Sequence, residues 1–116
     1  MVIREDIEKE LWLLLKTRKR IDKEIRDLFE EIYGKKGKKA IESIESKRIK
    51  KYNDFYVVVG QEEHIVVEDY CNCKDFFFNA SRKGEYCWHI LAVKIADIIG
   101  GYERIDGWYH EIEKIL

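Results

Sequence analysis

The sequence lacks the features of several protein classes. No apolar run in its 116 residues approaches the ~20 residues that span a membrane. Residues 1–6 do not have the pattern of a secretory signal peptide. Its net charge of −1 is not that of a dedicated nucleic-acid binder. We therefore expect one folded, intracellular protein of the cytoplasm or nucleoid.

Proline is absent, and side-chain amides are scarce, with one glutamine and three asparagines. Together with abundant Lys, Glu and Ile, this bias resembles the residue usage of hyperthermophiles. The lack of proline runs against that comparison, because loops of thermophile proteins tend to gain proline. The composition favours an archaeal or thermophile-like source.

The sequence has only three cysteines, an odd number, so disulfide pairing would leave one over. All three lie in one pattern with a histidine, Cys71-x-Cys73 followed after thirteen residues by Cys87-x-His89. Three thiolates and one imidazole complete a tetrahedral zinc shell and leave no position for water. The pattern predicts one structural Zn²⁺. The alternative is that these are ordinary buried cysteines and a hydrogen-bonded core histidine.

The spacing also suggests how the ligands meet. In an extended segment, alternate side chains share a face, so Cys71 and Cys73 can reach one ion. Cys87 and His89 open an apolar stretch, residues 88–99, which predicts a core helix whose positive end favours thiolates. We expect His64 and His110 to be solvated or hydrogen-bonded rather than ligands.

This motif resembles the SWIM-type zinc finger, written Cys-x-Cys…Cys-x-His, and the resemblance covers about residues 38–100. The SWIM subunits of Shu-type recombination accessory complexes extend the motif to Cys-x-His-x-x-Ala, and here Ala92 stands three residues after His89. The resemblance implies a RecA-like recombinase paralogue, or another repair protein, as partner. It also implies a role in DNA repair by homologous recombination.

Residues 4–33 predict one long helix. Its seam alternates spacings of four and three residues, the pattern of a coiled coil or a helical hairpin. The seam consists of Ile7, Leu11, Leu14, Arg18, Ile21, Ile25, Leu28 and Ile32. Such a helix would run ~42 Å, longer than a small domain can cover. We expect a partner helix on the seam, from a second copy in a homodimer or from another protein. The alternative is that the stripe packs on its own domain.

A basic segment follows the helix, with eight basic and two acidic residues between positions 35 and 51. The basic residues are Lys35, Lys36, Lys38, Lys39, Lys47, Arg48, Lys50 and Lys51. They are candidates for a DNA- or RNA-contacting patch. The alternative is that they provide solubility and protect an edge strand, predicted over residues 47–52.

The remaining pattern completes an α+β fold with a small antiparallel sheet, a zinc knot and C-terminal helices. We predict a short helix over residues 39–46, strands over 55–59 and 64–70 in a hairpin, and a last helix over 106–116. We expect residues 76–78, three phenylalanines, to pack over the zinc site or to form a partner patch. The predicted parts are an interaction helix, 1–34, and a zinc-finger domain, 35–116.

Three functions follow from these features. The first is a non-enzymatic adaptor in recombination, with DNA bound weakly or through the partner. The second is a direct DNA- or RNA-binding zinc module that uses the basic segment. The third is a zinc hydrolase, which needs an open metal position that the four-ligand motif does not leave.

Overall fold

The computed structural model describes residues 4–60, 62–74 and 86–108. Its elements are α1 Arg4–Arg18, α2 Lys23–Tyr33, α3 Lys35–Glu45, β1 Ile49–Lys51, β2 Tyr56–Val58, β3 His64–Val67, β4 Tyr70–Cys71, α4 Trp88–Ile99 and β5 Glu103–Arg104. This arrangement confirms the α+β class. The predictions for residues 76–78 and for a helix after residue 108 lie outside the described residues.

The continuous helix predicted over residues 4–33 is wrong, because the chain turns between α1 and α2. Lys19 adopts a left-handed backbone conformation with φ of 54°. Asp22 then caps α2, and its carboxylate accepts a hydrogen bond of 2.9 Å from the Ile25 amide. That bond is the main reason why the pKa of Asp22 lies below its ordinary value. Arg18, which interrupts the seam, forms an ion pair of 2.7 Å with Asp22 across the turn.

The turn places the seam inside the domain. α1 packs against α2 and α4, and Leu11 and Ile25 are buried in the core. These two residues of the seam therefore pack on their own domain, which is the alternative to packing on a partner helix. A homodimer through the N-terminal helix stays a prediction.

Phe29 is the centre of the contact between α2 and its neighbours. The Trp12 ring meets it edge-on at 5.3 Å, and the Tyr33 ring stacks on it at 5.9 Å. Gly37 of α3 crosses so close that a Cβ there would lie 2.3 Å from the Phe29 carbonyl oxygen. Glycine at position 37 therefore sets how closely α2 and α3 approach.

The basic stretch after α2 is helical. Gly34 ends α2 with φ of 63°, as expected of a glycine cap. α3 then begins at Lys35, earlier than the predicted start at residue 39. Four of the eight basic residues therefore lie on a helix rather than in a loop.

The five strands form one mixed sheet in the order β4-β3-β2-β1-β5. Neighbouring strands are antiparallel, as predicted, in three of the four pairs. The prediction does not hold for β1 and β5, which are parallel. The prediction that residues 47–52 form an edge strand is wrong, since β1 pairs on both sides. The predicted strand 64–70 is divided into β3 and β4 by a tight turn, where Glu68 has φ of 51°.

α4 is the central helix, as its apolar sequence predicts. Seven of its residues are buried, and it packs against α3 on one side and the sheet on the other. One continuous hydrophobic core includes side chains from α1, α2, α3, the sheet and α4. The core thus includes residues on both sides of the predicted boundary at residue 34. The division into an interaction helix and a zinc-finger domain stays a prediction.

Candidate metal centre

The structure brings the four predicted ligands together. Cys71 lies in β4, Cys73 two residues later, Cys87 caps the start of α4, and His89 lies in its first turn. One ligand atom from each of the four lies within 4.8 Å of all the others. The cluster therefore joins the end strand of the sheet to the core helix.

Local pairing explains why the first two ligands point the same way. Val66 of β3 pairs with Cys71 of β4. The side chain of Asn72, between the two cysteines, accepts a hydrogen bond of 2.9 Å from the Ile65 amide. Asn72, which is exposed between the two buried cysteines, thus anchors the Cys-x-Cys segment to β3. Sequence reasoning missed this role, although the asparagine between two ligands was a possible signal.

The cluster is buried, with exposed fractions of 0% for Cys71, 4% for Cys73, 0% for Cys87 and 6% for His89. Among the described residues, the buried Nδ1 of His89 has no hydrogen-bond partner. A buried nitrogen without a partner is costly. A metal ion bound within the cluster removes that cost if Nδ1 is its ligand atom.

The thiols are electrostatically prepared for a cation. The hydrogen bond from Cys71 is the largest influence on Cys87 and, with a smaller contribution from His89, lowers its pKa to about 4. The same hydrogen bond raises the pKa of Cys71, and burial raises it further. The Cys71–Cys87 pair therefore gives up one proton more readily than the second, and a bound cation favours loss of both.

The residues present fit one structural zinc ion. Bonds of ~2.3 Å to sulfur and ~2.0 Å to nitrogen place tetrahedral ligand atoms under ~4 Å apart. In the structure the four ligand atoms lie within 4.8 Å of one another. Small side-chain movements are therefore enough to bring them to the distances of a zinc shell. Zinc bound here connects β4 to the start of α4 and contributes to the free energy of folding.

His64 lies beside the centre without joining it. Its ring centroid is 4.2 Å from that of His89, while the Trp88 ring lies 4.0 Å from His89 on the helix. These rings, together with Arg48 and Glu62, line a cavity of about 310 Å³. His110, the other predicted non-ligand, lies outside the described residues.

The eight basic candidates are not one equivalent set. Lys51 forms an ion pair of 3.0 Å with Asp97, and its ammonium lies over the rings of Tyr56 and Tyr102 at 5.4 and 4.9 Å. Asp97 also accepts a hydrogen bond from Tyr56, whose pKa rises to about 12, chiefly through burial. Lys51 is thereby held against the protein.

The other basic residues differ in position and exposure. Lys36 donates a bond of 3.3 Å to the Tyr86 carbonyl oxygen, and Lys50 is half-buried in β1. The remaining five are exposed, three on α3 and two in the turn before β1: Lys35, Lys38, Lys39, Lys47 and Arg48. The phosphate-contacting patch stays a prediction and is reduced to these five.

Within the described ranges, no helix is long and apolar enough to cross a membrane.

Comparison with known proteins agrees with the geometry of the cluster. The model of the SWIM zinc finger family matches residues 56–98, which include all four ligands. An uncharacterized protein of Archaeoglobus fulgidus is 44% identical over 84 residues, which cover 72% of this chain and 74% of that protein. No solved structure matches the chain. The chain therefore belongs to the same family as this archaeal protein and carries a SWIM zinc finger at residues 56–98.

Proposed function

We propose that the protein is a non-enzymatic SWIM zinc-finger adaptor that acts through a protein partner in DNA repair by homologous recombination. The observation that carries this proposal is the closed and buried Cys₃His cluster. Four side chains fill the coordination shell, so the metal stabilises a platform and has no position for a reacting water. Its thiolates suit a reducing, intracellular compartment.

The recombination context comes from the resemblance to Shu-type SWIM subunits. The alanine of Cys-x-His-x-x-Ala is Ala92, which is completely buried on the core helix α4. A small side chain at this position suits the close packing of the core around α4. By resemblance, the partner is a RecA-like recombinase paralogue or another repair protein, and DNA is bound mainly in the complex.

Affinity capture from the source organism tests the adaptor function. With the zinc-loaded chain as bait and nuclease in every wash, we expect a RecA-like paralogue to be retained and identified by mass spectrometry. A Cys87→Ser bait, which lacks the zinc platform, should retain none of it. Loss of all captured proteins on nuclease treatment would contradict the adaptor function.

Direct nucleic-acid binding is the second candidate. The observation that favours it is the exposure of five basic residues on α3 and before β1, among them Lys38 and Lys39. Each duplex phosphate contact lowers the slope of log affinity against log salt by about 0.9. A contacting patch therefore predicts a steep loss of DNA affinity between about 50 and 200 mM salt.

Titration of duplex DNA at several salt concentrations separates the two candidates. If the protein is an adaptor, we expect weak binding by the isolated chain with little dependence on salt. If α3 contacts phosphate, replacing Lys38 and Lys39 with glutamine should reduce the slope by about two. Lys23→Gln, at an exposed position on α2, is the matched control. If the slope is steep and the two substitutions Lys38→Gln and Lys39→Gln reduce it, the adaptor function is rejected in favour of direct nucleic-acid binding.

A further inference from the structure

A groove runs along α1 and reaches the C-terminal half of α4. It consists of two adjoining cavities of about 530 and 400 Å³ that share Trp12 and Lys16. The α1–α4 groove, as we call it, is lined by Lys9, Trp12, Leu13, Lys16, Tyr86 and Ile98. None of these residues belongs to the zinc cluster or to the basic segment, so the groove is a separate feature.

The groove has an apolar floor that solvent reaches. Leu13 is 65% exposed and Tyr86 41% exposed, which is high for large apolar and aromatic side chains. Trp12, which lines both cavities, is fixed in place. Its Nε1 donates a bond of 2.9 Å to the Tyr33 hydroxyl, and its ring meets Phe29 edge-on. A tryptophan that is already ordered loses little entropy on binding, as is typical of interface hot spots.

The two ends of the groove on α1 carry positive charge. Lys9 and Lys16 are exposed, and neither forms an ion pair with another described residue. They lie seven residues apart, ~10 Å along the helix axis, with Trp12 and Leu13 between them. The groove therefore offers an apolar centre between two available ammonium groups.

The acidic residues at the groove offset these lysines only in part. Glu8 accepts a hydrogen bond of 3.4 Å from the Tyr33 hydroxyl. Asp97 pairs with Lys51. Lys94, at the α4 side, is paired with Asp69 at 2.9 Å. A hydrogen bond from a neutral hydroxyl does not cancel the charge of Glu8, which lines the same cavity as the two lysines. Lys9 and Lys16 together outweigh Glu8, so the charge that remains to attract a partner is positive.

This charge pattern disfavours a second copy of the chain as occupant. Antiparallel pairing of two α1 helices about a two-fold axis between Trp12 and Leu13 would place Lys9 of one copy opposite Lys16 of the other. Like charges in direct opposition repel. The occupant must instead supply carboxylates where this chain supplies ammonium groups.

We propose that the α1–α4 groove binds an amphipathic helix of a partner protein whose apolar side chains are flanked by acidic residues. The matching helix has an acidic residue, apolar residues three and four positions after it, and a second acidic residue seven positions after the first. Apolar side chains then cover Leu13 and Trp12, and the carboxylates meet Lys9 and Lys16. This inference rests on the proposed adaptor function and names the surface and the partner chemistry.

The test uses two labelled synthetic helical peptides and the full zinc-loaded chain. One peptide has glutamates at the two flanking positions, and the other has lysines there with the same apolar residues. Fluorescence anisotropy should give at least tenfold tighter binding of the glutamate peptide. The double variant Lys9→Glu, Lys16→Glu should invert that preference, while Leu13→Asp should weaken the glutamate peptide at least tenfold.

A matched control reverses the charge of two exposed lysines outside the groove, Lys23→Glu and Lys38→Glu. It should leave the preference for the glutamate peptide unchanged. Zinc content and melting temperature of every variant verify that the fold is retained, so a loss of binding reports on the groove.

Several results would overturn the proposal. One is equal binding of both peptides, and another is binding of neither. A third is displacement of the glutamate peptide from Lys9 and Lys16 by an oligonucleotide. Dimerisation in sedimentation that Leu13→Asp abolishes would make a second copy the occupant. The adaptor function is judged separately: a paralogue captured equally by wild type and Leu13→Asp baits would keep that function and reject the groove.

Discussion

The Cys87→Ser variant loses its zinc and melts at a much lower temperature than the wild type, or fails to fold in its C-terminal half. Cys87 is buried and is both a member of the cluster and the cap of the core helix α4. Structural zinc binds zinc-finger peptides with ~10–16 kcal/mol at neutral pH. The whole free energy of unfolding of a small domain is only ~5–15 kcal/mol, so we expect several kcal/mol to be lost.

Metal analysis and thermal denaturation measured together check this expectation. Zinc per chain should fall from one to near zero, and the circular dichroism transition should move down by more than ~10 °C, as a loss of several kcal/mol implies. His64→Gln is the matched control, since its ring lies beside His89 but outside the cluster. A zinc-free variant with an unchanged melting temperature would contradict a structural metal.

The second large effect is expected at Phe29. This side chain is completely buried and contacts the rings of Trp12 and Tyr33. The backbone of α3 at Gly37 lies against the carbonyl group of the same residue. Truncation of a buried phenylalanine to alanine costs ~3–5 kcal/mol, because the cavity that remains is filled only in part. Phe29→Ala should therefore remove much of the stability of the domain without removing a zinc ligand.

Urea denaturation gives the free energy of unfolding for this comparison, and zinc analysis of the folded variant should still give one ion per chain. Glu31→Ala, at an exposed position of α2, controls for changes in helix propensity and should alter stability by less than ~0.5 kcal/mol. A Phe29→Ala variant within ~1 kcal/mol of the wild type would show that α1, α2 and α3 do not share this packing.

The features predicted well from the sequence depend on neighbouring residues. The core helix α4 follows from an apolar run that ends at Gly100, which adopts the left-handed cap conformation. The strands follow from β-branched and aromatic residues, such as Val57 and Val66. The ligand set follows from spacing and from the coordination chemistry of thiolates and imidazole.

The features that the sequence could not provide depend on residues far apart in the chain. The seam of α1 and α2 has the same periodicity in one long helix as in two helices folded back, so only the cap at Asp22 marks the break. Nothing local indicates that β5 pairs with β1 or that Asp97 holds Lys51. The exposure of Leu13 likewise depends on which face of α1 the other helices cover.

The parallel pairing of β1 with β5 has a consequence for synthesis on the ribosome. All four zinc ligands have emerged once His89 leaves the exit tunnel, whereas the strand Glu103–Arg104 that completes the sheet emerges later. Until that strand docks, one edge of β1 is open. An open edge invites pairing with other chains, and the lysines at positions 50 and 51 of β1 discourage it during that interval.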